Sequence, residues 1–138
     1  MPGRSSGASK TFMCRTESVD GMSEEKRISR IEAYFDAMDA AHPELVEPAL
    51  ADGFVYESIA DDLRGFDGLV TYMRELRGIS NTDHEVSGVV HGEAASVVEG
   101  TVTGDGGGDS VTVDFCAVFE FDAADEEITR ISVYARDE

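Results

Sequence analysis

Ser110-Val-Thr-Val-Asp-Phe-Cys-Ala-Val-Phe-Glu-Phe121 and Ile128-Thr-Arg-Ile-Ser-Val-Tyr134 are the two runs that decide the fold of this chain. Both are rich in Val, Ile, Phe and Tyr, which favour strands, and an acidic turn over residues 122–127 joins them. In the first run every second side chain is apolar, from Val111 to Phe119. Period-two alternation is typical of a strand with one buried face. The two runs therefore predict a pair of strands whose apolar face packs against other elements of the fold.

Three helices are predicted ahead of these strands, over residues 23–41, 43–51 and 66–76. The first begins where Ser23 precedes two glutamates, a hydroxyl N-cap followed by carboxylates in the first turn. It ends before Pro43, because a proline disfavours a helical conformation at the residue before it. Pro43 suits the first turn of the second helix, but Pro48 would distort that helix unless it is split there. Gly78 stops the third helix.

The rest of the chain predicts strands. A short strand is expected at residues 54–58, and from His84 onward two more lead to the Gly-rich loop at residues 104–109. His84, Val86, Gly88 and Val90 are expected to share one strand face. Helices first and an antiparallel meander last predict an α+β domain, with three N-terminal helices packed on one face of a curved, mainly antiparallel sheet.

Residues 1–22 are rich in Gly, Ser and Thr without periodicity, which predicts a disordered tail. Residues 23–138 are expected to form one domain. No apolar run approaches the roughly 20 residues of a membrane helix, and no apolar leader segment marks secretion, so a cytoplasmic location is expected. The two cysteines, Cys14 and Cys116, show no metal-ligand spacing, and neither a metal nor a cofactor is expected.

The chain is strongly acidic, with 29 Asp and Glu against 11 Lys and Arg among 138 residues and a formal net charge of −18. A solvated acidic surface and a surface for a basic partner are two interpretations. A third, adaptation of the protein to a halophilic source, fits the pattern best, because dispersed acid with few lysines keeps a protein hydrated in concentrated salt, where screening removes self-repulsion. Nucleic acid and anionic membranes are not expected as partners, because both require a basic surface.

Three strings and the order of elements carry a resemblance to a known family. They are Ala51-Asp-Gly-Phe-Val-Tyr56, Arg64-Gly-Phe-Asp-Gly68 and the run from Phe121 to Tyr134. Over about residues 24–136 the chain resembles the nuclear transport factor 2-like superfamily, and within it the SnoaL-like branch. The resemblance implies a cone-shaped α+β barrel with a hydrophobic pocket between helices and sheet, and homodimers that pair through the open sheet face. Members include isomerases, dehydratases, cyclases, hydrolases and non-catalytic binding modules, so the fold does not decide function.

Two groups of relatives suggest catalytic residues. Ketosteroid isomerases of this fold have a helix Tyr, matched by Tyr34, but Ser58 and Ala117 stand where their two acids lie, so that chemistry is not expected. Scytalone dehydratase-like members are closer. Their Tyr-x-Ser and Thr-x-His strings resemble residues 56–58 and 82–84, and their helix Asp resembles Asp39, although Glu99 replaces their second His.

The resemblance thus makes His84, Asp39 and Tyr56 the candidate catalytic residues. The predicted walls of a pocket for a small apolar ligand are Tyr34, Met38, Phe54, Ser58, Phe115, Ala117 and Phe119. A His on an apolar strand face can act as an acid or base near neutral pH, and a nearby Asp would hold its tautomer. The tyrosines could donate to a ligand oxygen.

Each candidate also has a purely structural interpretation: His84 as an edge residue, Asp39 as a solvated acid, and the tyrosines as core. Two functions therefore stay open. One is a cofactor-independent isomerase, dehydratase or cyclase that moves protons on a small apolar carbonyl compound. The other is a non-catalytic ligand-binding or dimerisation module. They differ in whether His84 and a carboxylate meet in a closed cavity.

Overall fold

The computed structural model describes residues 18–58 and 62–136 and has the predicted α+β architecture. The helical elements are α1 (Ser18–Ala40), two 3₁₀ turns (Pro43–Leu45 and Glu47–Ala49) and α2 (Gly65–Thr71), which runs directly into a π-helix (Tyr72–Leu76). The strands are β1 (Leu50–Glu57), β2 (Asp62–Arg64), β3 (Ser80–His91), β4 (Ala95–Gly106), β5 (Asp109–Phe121) and β6 (Ile128–Arg136). None of the described helices is long and apolar enough to cross a membrane.

The helices differ from the prediction in two places. α1 begins at Ser18, before the expected N-cap Ser23, and residues 1–17 of the predicted tail lie outside the described residues. The predicted second helix is replaced by the two 3₁₀ turns, each with a proline near its start. Pro48 explains the split, because its ring clashes with the carbonyl of the preceding turn and it has no N–H to donate.

The six strands form one sheet in the order β2-β1-β6-β5-β4-β3. Among the described residues only the β1–β6 pair is parallel, and the quoted β5–β6 pair lies at the centre of the sheet. The apolar face of β5 is buried as predicted: Phe115, Ala117 and Phe119 are at most 8% exposed. They pack with α1 side chains such as Phe35 in one core between helices and sheet. This arrangement is the cone-like fold expected of the nuclear transport factor 2-like superfamily.

A β-bulge in β3 changes which side chains face the core. Val86 pairs with Gly100, but Gly88 pairs with Glu99, so Ser87 is an extra residue. Because one extra residue reverses the alternation, the prediction that His84 and Val90 share a face is wrong: Val90 is 69% exposed. Gly100 accommodates the bulge, since a Cβ there would lie 2.2 Å from the Glu85 carbonyl oxygen.

A buried arginine ties α1 to two turns of the sheet. Arg27 is 5% exposed, and its Nε donates to Asp125 Oδ1 at 3.1 Å in the β5–β6 turn. Its two Nη atoms donate to the carbonyl oxygens of Gly92 and Glu93, both at 2.7 Å, between β3 and β4. Nη1 also lies 3.2 Å from Ser96 Oγ. The guanidinium therefore fixes the N-terminal half of α1 to the sheet.

This network predicts that acid destabilises the fold through His91. Burial, ahead of the nearby Arg27 charge, lowers the pKa of His91 below its ordinary 6.5. The His91 Nδ1 lies 2.7 Å from Ser96 Oγ, which already accepts an Arg27 N–H, so an unprotonated Nδ1 can accept a hydrogen bond from the serine hydroxyl. Below about pH 6.5 His91 is protonated in the unfolded chain but not yet in the folded protein. The free energy of unfolding therefore falls as the pH is lowered.

We expect the free energy of unfolding to fall between about pH 7.5 and about pH 5.5, and to fall less steeply in His91→Gln. Urea unfolding at the two pH values measures both slopes. Equal slopes in the two proteins would contradict the role given to His91.

Candidate functional site

Asp39 and His84 form a close pair at the C-terminal end of α1. Asp39 lies in the last turn of α1 and His84 near the start of β3, so the docking of helix on sheet brings them together. Asp39 Oδ1 is 2.5 Å from His84 Nδ1, and Asp39 Oδ2 accepts the His84 backbone N–H at 3.0 Å. Thr82 Oγ1 donates to the same Oδ1 at 2.9 Å. Three donors thus hold the Asp39 carboxylate. Asp39 is therefore not the solvated surface acid that was the alternative interpretation of this residue.

The His84 ring is oriented by this contact and by two phenylalanines. Its side chain is 10% exposed, and its ring centroid lies 5.0 Å from that of Phe35 and 5.5 Å from that of Phe115. A carboxylate next to Nδ1 accepts a hydrogen bond from it, so Nδ1 carries the hydrogen and Nε2 keeps its lone pair when the ring is neutral. Among residues 18–58 and 62–136, none hydrogen-bonds Nε2. This nitrogen can therefore accept a proton from another molecule.

Tyr56 is separate from this pair. Its hydroxyl lies 2.9 Å from the Tyr34 hydroxyl, and both rings are at most 2% exposed. The Tyr72 ring is next to them, 4.8 Å from Tyr56 between centroids. Burial is the main cause that raises the pKa of both Tyr34 and Tyr56 well above the usual value. The two hydroxyls therefore stay protonated, one donating to the other, and neither acts as a base.

Arg77 follows the π-helix and reaches the same end of α1. Its Nη1 donates to the Met38 carbonyl oxygen at 3.1 Å, which Thr82 Oγ1 also approaches at 3.3 Å. Its Nε is buried and has no hydrogen-bond partner. Sequence reasoning missed this residue, because an arginine between an amphipathic helix and a glycine looks like any surface arginine.

The sequence matches the SnoaL-like domain over residues 31–131. The chain belongs to the SnoaL-like family. No curated protein matches this SnoaL-like chain closely enough to lend it a function.

Solved structures of other proteins have the same fold. An LEH-like epoxide hydrolase of M. tuberculosis is 26% identical with a TM-score of 0.66, over 81% of this chain and 84% of that one. A structure named for SnoaL-like polyketide cyclases, from Jannaschia sp. CCS1, is 16% identical with a TM-score of 0.69, over 80% and 85%. An NTF2-like protein of unknown function from Burkholderia pseudomallei K96243 is 16% identical with a TM-score of 0.71, over 80% and 91%.

The predicted pocket walls of the SnoaL-like chain are mostly core residues. Six of them are at most 8% exposed: Tyr34, Met38, Phe54, Phe115, Ala117 and Phe119. Ser58, just after β1, is half-buried. Aromatic rings fill the space between α1 and the sheet, with Tyr34 and Phe119 centroids 5.4 Å apart. Ligand binding by these seven residues stays a prediction.

The sheet face turned away from the helices holds an open cavity of about 470 Å³. Its lining is mainly the outward side chains of β4, β5 and β6, including Glu99, Cys116 and Tyr134, which is 61% exposed. The resemblance assigned this face to a dimer contact, and dimerisation stays a prediction. Within the described ranges, no cluster of three His, Cys, Asp or Glu side chains could hold a metal ion.

Proposed function

We propose that this SnoaL-like protein is a cofactor-independent acid–base catalyst that acts on a small, largely apolar molecule, with His84 as the group that moves the proton. The observation that carries the proposal is the 2.5 Å contact between Asp39 and the Nδ1 of His84, a half-buried imidazole whose Nε2 bonds no described residue. A base needs one fixed tautomer and one nitrogen within reach of the substrate. Both requirements fit this arrangement.

The proton transfer starts from neutral His84. Nε2 takes a proton from a carbon next to a carbonyl group, or from a water molecule that attacks the substrate. Asp39 then stabilises the imidazolium through Nδ1–H without taking the proton. His84 returns the proton to carbon or to the new oxygen anion, so the protein ends in its starting state. No redox step or cofactor enters this sequence.

The reactions named for two structural neighbours both need such a group. Hydrolysis of an epoxide, the activity named for the M. tuberculosis protein, adds water to a strained ring and needs a proton removed from that water. Ring closure of a polyketide, named for the Jannaschia protein, forms a carbon–carbon bond after a carbon acid loses its proton. Isomerisation and dehydration of carbonyl compounds begin in the same way. An experiment with two probes distinguishes hydrolysis from removal of a proton from carbon.

A non-catalytic binding module is the second candidate, and one observation favours it. The cone interior is filled by aromatic side chains, and Tyr56 bonds Tyr34 instead of the His84–Asp39 pair. Under this alternative the carboxylate and Thr82 hold His84 only as part of the α1–β3 contact. The two candidates give opposite results when the imidazole is replaced.

The test uses two probes, one for each kind of proton donor. Cyclohexene oxide is followed for hydrolysis to the diol, and 2-methylcyclohexanone for exchange of its α-protons in D₂O by NMR. We expect the protein to accelerate at least one reaction, and His84→Gln to lower that rate by roughly 10²–10⁴-fold, the usual contribution of a positioned acid or base.

His42→Gln is the matched control, because the His42 side chain is 59% exposed and lies outside the pair. It should leave the rate unchanged. If neither probe reacts faster than it does with His84→Gln, while the protein remains folded, the catalyst proposal fails and the binding module is favoured.

A further inference from the structure

We propose that Arg77 is the anion-recognition residue of this site, and that the ligand is a small carboxylic acid with an apolar body whose carboxylate binds the Nε–Nη2 edge of the Arg77 guanidinium. The inference rests on the proposed function, because it assigns the substrate class of the same site. It is carried by the unpaired edge of a half-buried cation beside the His84–Asp39 pair.

One side of the guanidinium is already occupied. Nη1 donates to the Met38 carbonyl oxygen at 3.1 Å and lies 3.9 Å from the Met38 sulfur. This bond fixes the plane of the group at the end of α1. The two N–H groups that remain side by side, on Nε and Nη2, form the fork that matches the two oxygens of a carboxylate.

That fork has no protein acceptor. Nε is buried without a hydrogen-bond partner, and no described residue bonds Nη2. A buried donor without an acceptor destabilises the folded protein. An acceptor supplied by a ligand would remove that destabilisation, so the unpaired fork favours binding of an anion.

Arg77 has no ion pair with a described residue, in a chain with an excess of acids. Among the described residues Lys26, Arg27, Arg130 and Arg136 each lie within 4.0 Å of a carboxylate, Arg30, Arg64 and Arg74 do not, and Arg77 alone has a buried side-chain nitrogen without a partner. Arg77 has no such ion pair within the described part of the chain, although it is half-buried. Buried charges are normally paired, so an unpaired one beside a candidate site points to a charged ligand.

The position of Arg77 connects the fork to the His84–Asp39 pair. Arg77 donates to the Met38 carbonyl oxygen, which lies 3.3 Å from Thr82 Oγ1, and the Thr82 hydroxyl donates to Asp39. Arg77 directly follows the π-helix at Tyr72–Leu76, and π-helical turns are frequent at functional sites. A carboxylate on Arg77 would thus lie at the same end of α1 as the His84–Asp39 pair.

Benzoate and its neutral analogue benzamide are the probes, added to the uniformly ¹⁵N-labelled full chain. The Arg77 Nε–H resonance reports the fork directly. We expect benzoate to shift it in a saturable manner and benzamide to leave it in place. Arg77→Lys keeps a charge and a donor for the Met38 carbonyl but loses the fork, so it should weaken benzoate binding about tenfold or more.

A purely structural role as a cap of α1 predicts a different pattern: Arg77→Lys would bind benzoate as the native protein does, and only Arg77→Met would lose stability. That pattern, an unmoved Nε–H resonance, or equal shifts with benzamide would each overturn the proposal. The catalytic proposal is tested separately, because turnover and the response of the Arg77 Nε–H resonance to benzoate are independent measurements. If His84→Gln loses turnover but benzoate does not shift the Arg77 Nε–H resonance of the native protein, the anion site alone is refuted. If benzoate shifts that resonance but the native protein turns over neither probe faster than His84→Gln, the catalyst alone is refuted.

Discussion

Arg27→Met should lower the free energy of unfolding by about 3–5 kcal/mol, the usual cost of removing one partner from a buried ion pair. The side chain of Arg27 is 6% exposed and that of its partner Asp125 is 13% exposed. The substitution leaves that carboxylate and the carbonyl oxygens of Gly92 and Glu93 without their donor. Because small domains are stable by only about 5–15 kcal/mol, the variant should be marginally folded. Urea unfolding at constant salt concentration measures the loss.

Lys26→Met is the matched control one residue earlier on α1. Lys26 pairs with Glu126 at 3.4 Å, but the two side chains are 40% and 59% exposed, and exposed pairs contribute at most about 1 kcal/mol. We expect a change of no more than that size. Similar losses in the two variants would show that the Arg27 bonds do not hold α1 to the sheet.

Asp39→Asn should lower the rate of the His84-dependent reaction by roughly 10²–10⁴-fold, as severely as loss of the base itself. An amide has one oxygen where the carboxylate has two. Its NH₂ group can take one of two positions. In the first it replaces Oδ2 and faces the His84 backbone N–H. In the second it replaces Oδ1 and faces His84 Nδ1 and the Thr82 hydroxyl. The second orientation donates to Nδ1, moves the ring proton to Nε2 and removes the base.

Asp36→Asn is the control for this variant, since Asp36 lies on the same helix, one turn earlier, and is exposed. Its rate and stability should match those of the native protein. An Asp39→Asn variant that stays folded and keeps the native rate would show that Asp39 does not hold the tautomer of His84.

The strand pattern made the centre of the fold predictable. Alternation in residues 110–121 identified the buried face of β5 because the buried and exposed side chains of a regular strand differ in polarity. The bulge at Ser87 was not predictable in this way. It depends on the close approach of the Gly100 backbone to Glu85, which only the paired strands create.

The site was predictable only in part. The resemblance selected Asp39 and His84, which are 45 residues apart in the chain, and their contact depends on how α1 docks on β3. The sequence also placed Tyr56 in the catalytic group, whereas the structure places its hydroxyl against Tyr34. Arg27 and Arg77 carried no signal, because an arginine that will be buried has the same local pattern as one that faces water.

The tautomer of His84 tests the central claim most directly. A long-range ¹H–¹⁵N NMR spectrum of the labelled protein at about pH 8.5, where a histidine is ordinarily neutral, shows which ring nitrogen carries the proton. The native protein should have the proton on Nδ1, next to Asp39, and Asp39→Asn should have it on Nε2. A native His84 protonated on Nε2, or the same tautomer in both proteins, would contradict the assignment of Nε2 as the base.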